Sequence, residues 1–127
     1  MPKQQIVTSA GPSPAGAYSQ GLRVGDFIFV SGQGPIDPET GSIVGDSIEA
    51  QTVRVLENIK AILEAGGASM DDVVKVTAHL DSLADFASYN QIYGSYFSDP
   101  KPTRTTVGSQ LAGILVEIDV IAYVGPS

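Results

Sequence analysis

The amino-acid sequence predicts an α+β fold, a single mixed sheet with two helices packed on one face. Three observations carry this. Several short stretches alternate apolar and polar residues with a period of two, the pattern of half-buried strands. Two longer stretches repeat apolar residues at every third or fourth position, the pattern of amphipathic helices. The elements follow the order β, β, β, α, β, α, β, β with no repeat, low-complexity tract or linker, so one domain is expected over residues 1–127. A chain of 127 residues, 43% of them hydrophobic, is long enough to bury one real core.

The first strand candidate is 6–8. Gly11-Pro12-Ser13-Pro14-Ala15-Gly16 then excludes regular structure. Strands are expected over 20–24 and 27–33, joined by the turn-forming Gly25-Asp26, and 35–41 reads as a turn-rich loop. Asp46-Ser47-Ile48-Glu49 starts a helix, with a cap-type residue three positions before a glutamate. Ile48, Thr52, Val55, Leu56, Ile59, Ile62 and Leu63 recur at helical spacing until Gly66-Gly67 stops the run. Over 73–80, Val74, Val76, Ala78 and Leu80 point one way, while Lys75, Thr77 and His79 point the other. A second helix is expected over 83–97, capped by Asp81 or Ser82, with Leu83, Phe86, Tyr93 and Phe97 as its apolar face and Asn90 on that same face. Pro100 and Pro102 end it, and strands over 104–108 and 115–124 close the chain.

Two helices cover only one side of such a sheet. The other side carries Phe27 and Phe29 from one strand and Leu115, Ile121 and Tyr123 from another. An open face this apolar predicts burial between copies of the chain, a homo-oligomer.

Charge and composition narrow the function. Seven basic against fourteen acidic residues give a net charge of −7, a balance that repels phosphate backbones. Neither a nucleic-acid partner nor a membrane is expected. With no cysteine, thiolate nucleophiles, disulfides and cysteine metal sites are excluded. Met1-Pro2-Lys3-Gln4-Gln5 lacks the apolar core of a signal peptide, and a cytoplasmic address is the default expectation. No G-x-S-x-G elbow is present, and Gly32-Gln33-Gly34 opens a proline turn rather than a helix, unlike a phosphate loop.

A few residues carry candidate chemistry. Arg104, at a strand start after the rigid Pro102, offers a planar fork suited to a carboxylate; spacing alone slightly favours a surface arginine paired with one of the acids. Glu117 lies with Asp119 on the strand face opposite Val116, Ile118 and Val120, where a carboxylate orients a water or simply faces solvent. Asn90 needs hydrogen-bond partners if buried, and so fixes a loop or contacts a ligand. Tyr18-Ser19-Gln20 and Ser31-Gly32-Gln33 place polar groups beside glycines or tight turns. His79 is the only histidine and reads as structural or surface.

These features occur in a recognisable order. Gly16-Ala17-Tyr18-Ser19-Gln20, Val30-Ser31-Gly32-Gln33 and Asp37-Pro38-Glu39-Thr40-Gly41 are followed by Gln51 through Asn58-Ile59 and Asp72-Val73-Val74-Lys75. Then come Asp85-Phe86 with Asn90 and Tyr93, Pro102-Thr103-Arg104-Thr105-Thr106-Val107, and Val116-Glu117-Ile118. Over almost its whole length the chain resembles the RidA (YjgF) family of reactive intermediate deaminases. The resemblance implies a chorismate-mutase-like α+β fold assembled as a homotrimer with clefts between subunits. It implies hydrolysis of reactive 2-imino or enamine acids to 2-oxo acids and ammonia, without metal or organic cofactor. Arg104 would clamp the substrate carboxylate and Glu117 would position the attacking water. Tyr18, Ser31 and Asn90 would shape the cleft, and the backbone of Thr106 would contact the imine end. The chain departs from the family pattern in Thr106, where many members carry cysteine, and in Leu111-Ala112, where Leu-Pro is common. The stretch from Arg104 to Glu117 is also short, and it borders the cleft, which leaves the preferred substrate open. A non-catalytic carboxylate-binding or regulatory member is the alternative; an RNA-directed role is disfavoured by the acidic balance.

Overall fold

The computed structural model describes residues 2–126. Its strands are β1 (Gln4–Ile6), β2 (Gly21–Val24), β3 (Phe27–Gln33), β4 (Val73–Leu80), β5 (Thr103–Gly108) and β6 (Val116–Tyr123), with helices α1 (Ile48–Ala65) and α2 (Phe86–Gly94). The strands form one sheet in the order β1-β2-β3-β6-β4-β5. Only β4 and β5 run parallel, so the sheet is mixed, and β1 and β5 are its edges. Both helices pack on one face, as the periodicity predicts.

The core follows from pleat and helix period. Ile28 and Val30, Val76, Ala78 and Leu80, and Val116, Ile118, Val120 and Ala122 point toward the helices and are buried. They meet Val55, Leu56, Ile59, Ile62 and Leu63 of α1. Removing an aliphatic side chain of this kind from water stabilises the fold by about 1.5–3 kcal/mol. Ser47 caps α1 by accepting from the Ala50 N–H at 3.1 Å. At its other end a Cβ on Gly66 would lie 2.6 Å from Ile6 Cδ1, so the helix terminus packs against β1 only because that residue is glycine. Among the described residues no helix is long and apolar enough to cross a membrane.

Local periodicity misplaces several details, each for an identifiable reason. The first strand lies at Gln4–Ile6 rather than 6–8, because the Gln20 side chain captures the backbone of Thr8. Gln20 Oε1 accepts the Thr8 N–H at 2.8 Å and Nε2 donates to its carbonyl at 3.0 Å, replacing the ladder bonds. On β4, Val74 is 42% exposed and Val73 is buried instead, since the ladder with β6 is irregular between Val73 and Lys75. The second helix is shorter than 83–97. A 3-10 turn over Leu83–Asp85, with Ser82 Oγ accepting the Ala84 N–H at 3.2 Å, precedes it. Leu83 on that tighter turn is 58% exposed, and Phe86 is 38% exposed. Tyr89 takes the buried position, and Tyr89, Tyr93 and Phe97 continue inward as a ladder of tilted rings. Asn90, one residue past Tyr89, is therefore exposed at the helix edge and not within the apolar face.

The face away from the helices is uncovered in the protomer. Phe27, Phe29, Val24 and Tyr123 are exposed there, and the Phe27 and Tyr123 rings pack at 5.2 Å between centroids. Leu115, expected on this face, precedes β6 and packs against the core. Toward the other end the open face turns polar, with Lys75, Thr77 and His79 beside Glu117 and Asp119.

Candidate functional site

The polar groups collect in two places, on opposite faces of the sheet. The first lies at the β5 edge, on the helix side. Arg104 pairs in register with Val76 and Thr106 with Ala78, so both share the inward orientation of those core residues. Arg104 reaches out along α2: its Nη1 donates to Asn90 Oδ1 at 2.7 Å. The guanidinium carbon lies 4.6 Å from the centroid of the Tyr93 ring, 5.5 Å from that of Phe86 and 5.7 Å from that of Tyr89. Aromatic faces attract a guanidinium and restrict its tilt. The hydrogen-bonding partner is a neutral amide, so this contact leaves the positive charge uncompensated and most of the N–H donors free.

The surrounding groups keep that arrangement in place. Thr106 Oγ1 and Tyr89 Oη are hydrogen-bonded at 3.2 Å, so the Thr106 side chain is occupied, while its backbone lies on the strand at the sheet edge. Lys101 Nζ donates to the carbonyls of Gly94, at 3.1 Å, and Phe97, closing the C-terminal end of α2. Tyr93 is only 5% exposed. Its pKa is pushed up to about 12, first by burial and then by Tyr89, against the opposing charge of Arg104. Its hydroxyl is buried without a partner among the described residues.

The second place lies where β3 and β6 meet the loop before β2. Tyr18 is 48% exposed, and its hydroxyl accepts the Ala15 N–H at 3.1 Å, folding the ring back over its own loop. Gln20 anchors that loop through Thr8 and also through Pro12 O, to which Nε2 donates at 2.8 Å. Ser31 fixes it from β3: its N–H donates to Gln20 O at 3.0 Å and its Oγ to Ser19 O at 2.7 Å. Ser31 thus holds the loop against β3. Beside it, Gly32 faces Glu117, and a Cβ added there would stand 3.0 Å from Glu117 Oε2. A cavity lined by Pro12, Ala15, Tyr18, Gly32 and Asp37 opens here, and a second one reaches from Tyr18 past Ser31 to Asp119. Burial raises the pKa of the Asp119 carboxyl, and the charges of His79 and Lys75 oppose that rise.

The two places do not meet within one protomer. Glu117 pairs with His79 and Arg104 with Val76, which puts them two strands and three positions apart on opposite faces. At strand spacing and rise their backbones are about 14 Å apart. Tyr18, Ser31 and Glu117 are brought together, as are Arg104, Asn90 and Thr106.

Around the second place the loops are tied down by buried amides that sequence reading did not single out for this role. Asn58 accepts from Arg54 Nη2 at 2.9 Å and donates to the carbonyls of Gly34 at 3.2 Å and Ile36 at 2.9 Å. Gln51 joins Gly45 O to the Leu115 N–H, at 2.9 Å and 2.8 Å. Both interrupt the apolar stripe of α1 at positions seven apart, and that interruption is the signal by which they could have been found.

Comparison with known proteins agrees with this architecture. The family model described as Endoribonuclease L-PSP matches residues 8–124. A RutC family protein of Pyrococcus abyssi is 55% identical over 125 residues, covering 97% of this chain and 98% of the relative. The chloroplastic Reactive Intermediate Deaminase A of Arabidopsis thaliana is 41% identical over 122 residues, covering 94% of this chain and 65% of that protein. The crystal structure of RidA from an Antarctic Psychrobacter species superposes with a TM-score of 0.91 at 42% identity, covering 94% of this chain and 98% of that one. By family match, sequence identity and fold, this chain belongs to the RidA/YjgF family.

Proposed function

We propose that this protein hydrolyses reactive 2-imino and enamine acids to 2-oxo acids and ammonia. The observation that carries the reading is Arg104: a guanidinium over aromatic rings, hydrogen-bonded to a neutral amide, with donors free for a carboxylate. The 41% identity to a reactive intermediate deaminase supports the same chemistry.

In this reading the site forms between two copies of the chain. Arg104, Asn90 and the Thr106 backbone come from one copy, and Tyr18, the Ser31–Gly32 corner and Glu117 from its neighbour. The separation of the two sets within a protomer and the apolar open face both support a homotrimer with clefts between subunits. Arg104 holds the carboxylate, and Glu117 orients a water against the imine carbon. The C–O bond forms as the C=N π electrons pass to nitrogen, and Glu117 takes the proton released by the water. With the imine protonated, Glu117 returns that proton to the amine nitrogen; the carbinolamine hydroxyl then gives its own proton to Glu117 as its electrons form the C=O bond, the C–N bond breaks, and ammonia leaves with the 2-oxo acid. Holding an already electrophilic carbon and a water in reactive geometry supplies much of the acceleration.

The test is release of ammonia or 2-oxo acid from 2-iminopropanoate or 2-iminobutanoate generated in situ. Acceleration over buffer that Arg104→Ala abolishes, with melting and assembly unchanged, supports the reading; no acceleration defeats it. Glu117→Gln separates hydrolysis from a carboxylate-binding role, since it should spare 2-oxo acid binding while removing turnover.

A further inference from the structure

Beside Arg104 stands a second cation that the proposed reaction does not use. Two of the chain's seven basic side chains, Lys101 and Arg104, line one cavity of about 370 Å³ with Asn90, Tyr93, Gly94 and Pro102. No carboxylate belongs to that lining, although acidic residues outnumber basic ones two to one in the chain. A volume of this size falls within the range of small-ligand sites.

Lys101 is held at both ends. It lies between Pro100 and Pro102. A proline fixes its own φ and keeps the residue before it extended, so the backbone carrying this lysine has little freedom. Its Nζ donates to Gly94 O at 3.1 Å and to Phe97 O. An ammonium has three N–H groups, so one is left over. Both acceptors are neutral carbonyls at the C-terminal end of α2, which offset only part of the positive charge. Lys101 also borders a neighbouring cavity lined by Asp71 and Asp99, but its ammonium is bonded to the α2 carbonyls rather than to those carboxylates.

The helix sets the spacing of the two cations. Arg104 is tied to Asn90, and Lys101 to Gly94, four residues further along α2. Four residues of helix rise about 6 Å, a separation that a short diacid spans with one carboxylate at each cation.

We propose that this cavity selects acids with a second carboxylate: Arg104 holds the carboxylate next to the imine carbon, and Lys101 takes the distal one. The inference rests on the reading of Arg104 as a carboxylate clamp and narrows its substrates to 2-imino diacids. The leftover N–H of Lys101 makes a charge-assisted contact with the distal group, while a plain aliphatic tail leaves it facing water.

The test uses 2-oxopentanoate and 2-oxoglutarate, stable acids of the same chain length that differ at the far end, methyl against carboxylate. Calorimetric titration of the assembled protein at low salt is expected to give 2-oxoglutarate a Kd about three- to tenfold lower, the worth of one partly exposed charge-assisted contact. Lys101→Gln keeps N–H groups for the α2 carbonyls but carries no charge, and should bring the ratio of the two Kd values to about one. A loosened α2 terminus would weaken both ligands and leave the ratio, so the ratio is the quantity to read. Equal Kd values in the native protein overturn the proposal whatever the variant does. So does a preference that survives Lys101→Gln, or the absence of 2-oxoglutarate binding. Turnover of 2-iminopropanoate alongside equal Kd values leaves the deaminase reading standing without this proposal. A lysine-dependent preference with no turnover of any imine does the reverse.

Discussion

Replacing Gly32 with alanine moves the proposed water-positioning carboxylate without altering it. Gly32 has no positive φ, so the backbone accepts an L side chain. The new Cβ would stand 3.0 Å from Glu117 Oε2, 3.1 Å from Cδ and 3.3 Å from Cγ. Ordinary contact begins about 0.4 Å further out, and the glutamate, as the flexible partner, has to supply that displacement. Its effect on stability should be small, about 1 kcal/mol or less, since glycine to alanine at a compatible φ also stiffens the unfolded chain. Its effect on catalysis should be larger. A misplacement of about 1 Å costs roughly 10²-fold, so about 0.4 Å costs on the order of five- to tenfold in kcat. In this reading the clamp at Arg104 comes from the neighbouring copy and is not the group the new Cβ displaces, so KM should move by less than about twofold. The assay is steady-state ammonia release from in situ 2-iminopropanoate alongside thermal melting. A native kcat in a variant with native melting would refute the argument that Glu117 acts from the place where Gly32 allows it to sit.

Arg104→Lys keeps the charge but loses the planar fork and its stacking on Tyr93; the KM for the imino acid should rise about tenfold or more, with melting little changed. Asn58→Leu strands the Gly34 and Ile36 carbonyls and the Arg54 guanidinium, and denaturant unfolding should show a loss of about 2–4 kcal/mol. Tyr93→Phe removes the buried hydroxyl without a partner and should raise stability by about 1 kcal/mol; a loss instead would mean that the assembled protein supplies a partner. Burial raises the Asp119 pKa above its ordinary 3.8, so this group favours folding below that value, and the advantage is lost as pH rises through the folded pKa. Asp119→Asn should therefore melt above the native protein at neutral pH, the gap closing as pH falls toward 4 on the order of the unfolded carboxyl pKa.

What the sequence determined by itself is whatever depends on near neighbours along the chain. The stripe from Ile48 to Leu63, the alternation from Val116 to Ala122 and the stop at Gly66-Gly67 are local signals, and they fix element type, order and the buried side of each element. The ordered motif set, with Arg104 and Glu117 in it, also made the family legible before any fold was known. Tertiary structure decided what depends on partners distant in sequence. Gln20 takes Thr8 out of the first strand, the irregular ladder between β4 and β6 turns Val73 inward in place of Val74, and Tyr89 displaces Asn90 from the buried line of α2. Above all, alternation says which residues of one strand share a face, but it cannot relate the faces of two strands that are not adjacent in the chain. Register across the sheet does that. It sends Arg104 to the helix side with Val76 and Glu117 to the open side with His79, because residues paired across strands project from the same side of the pleat.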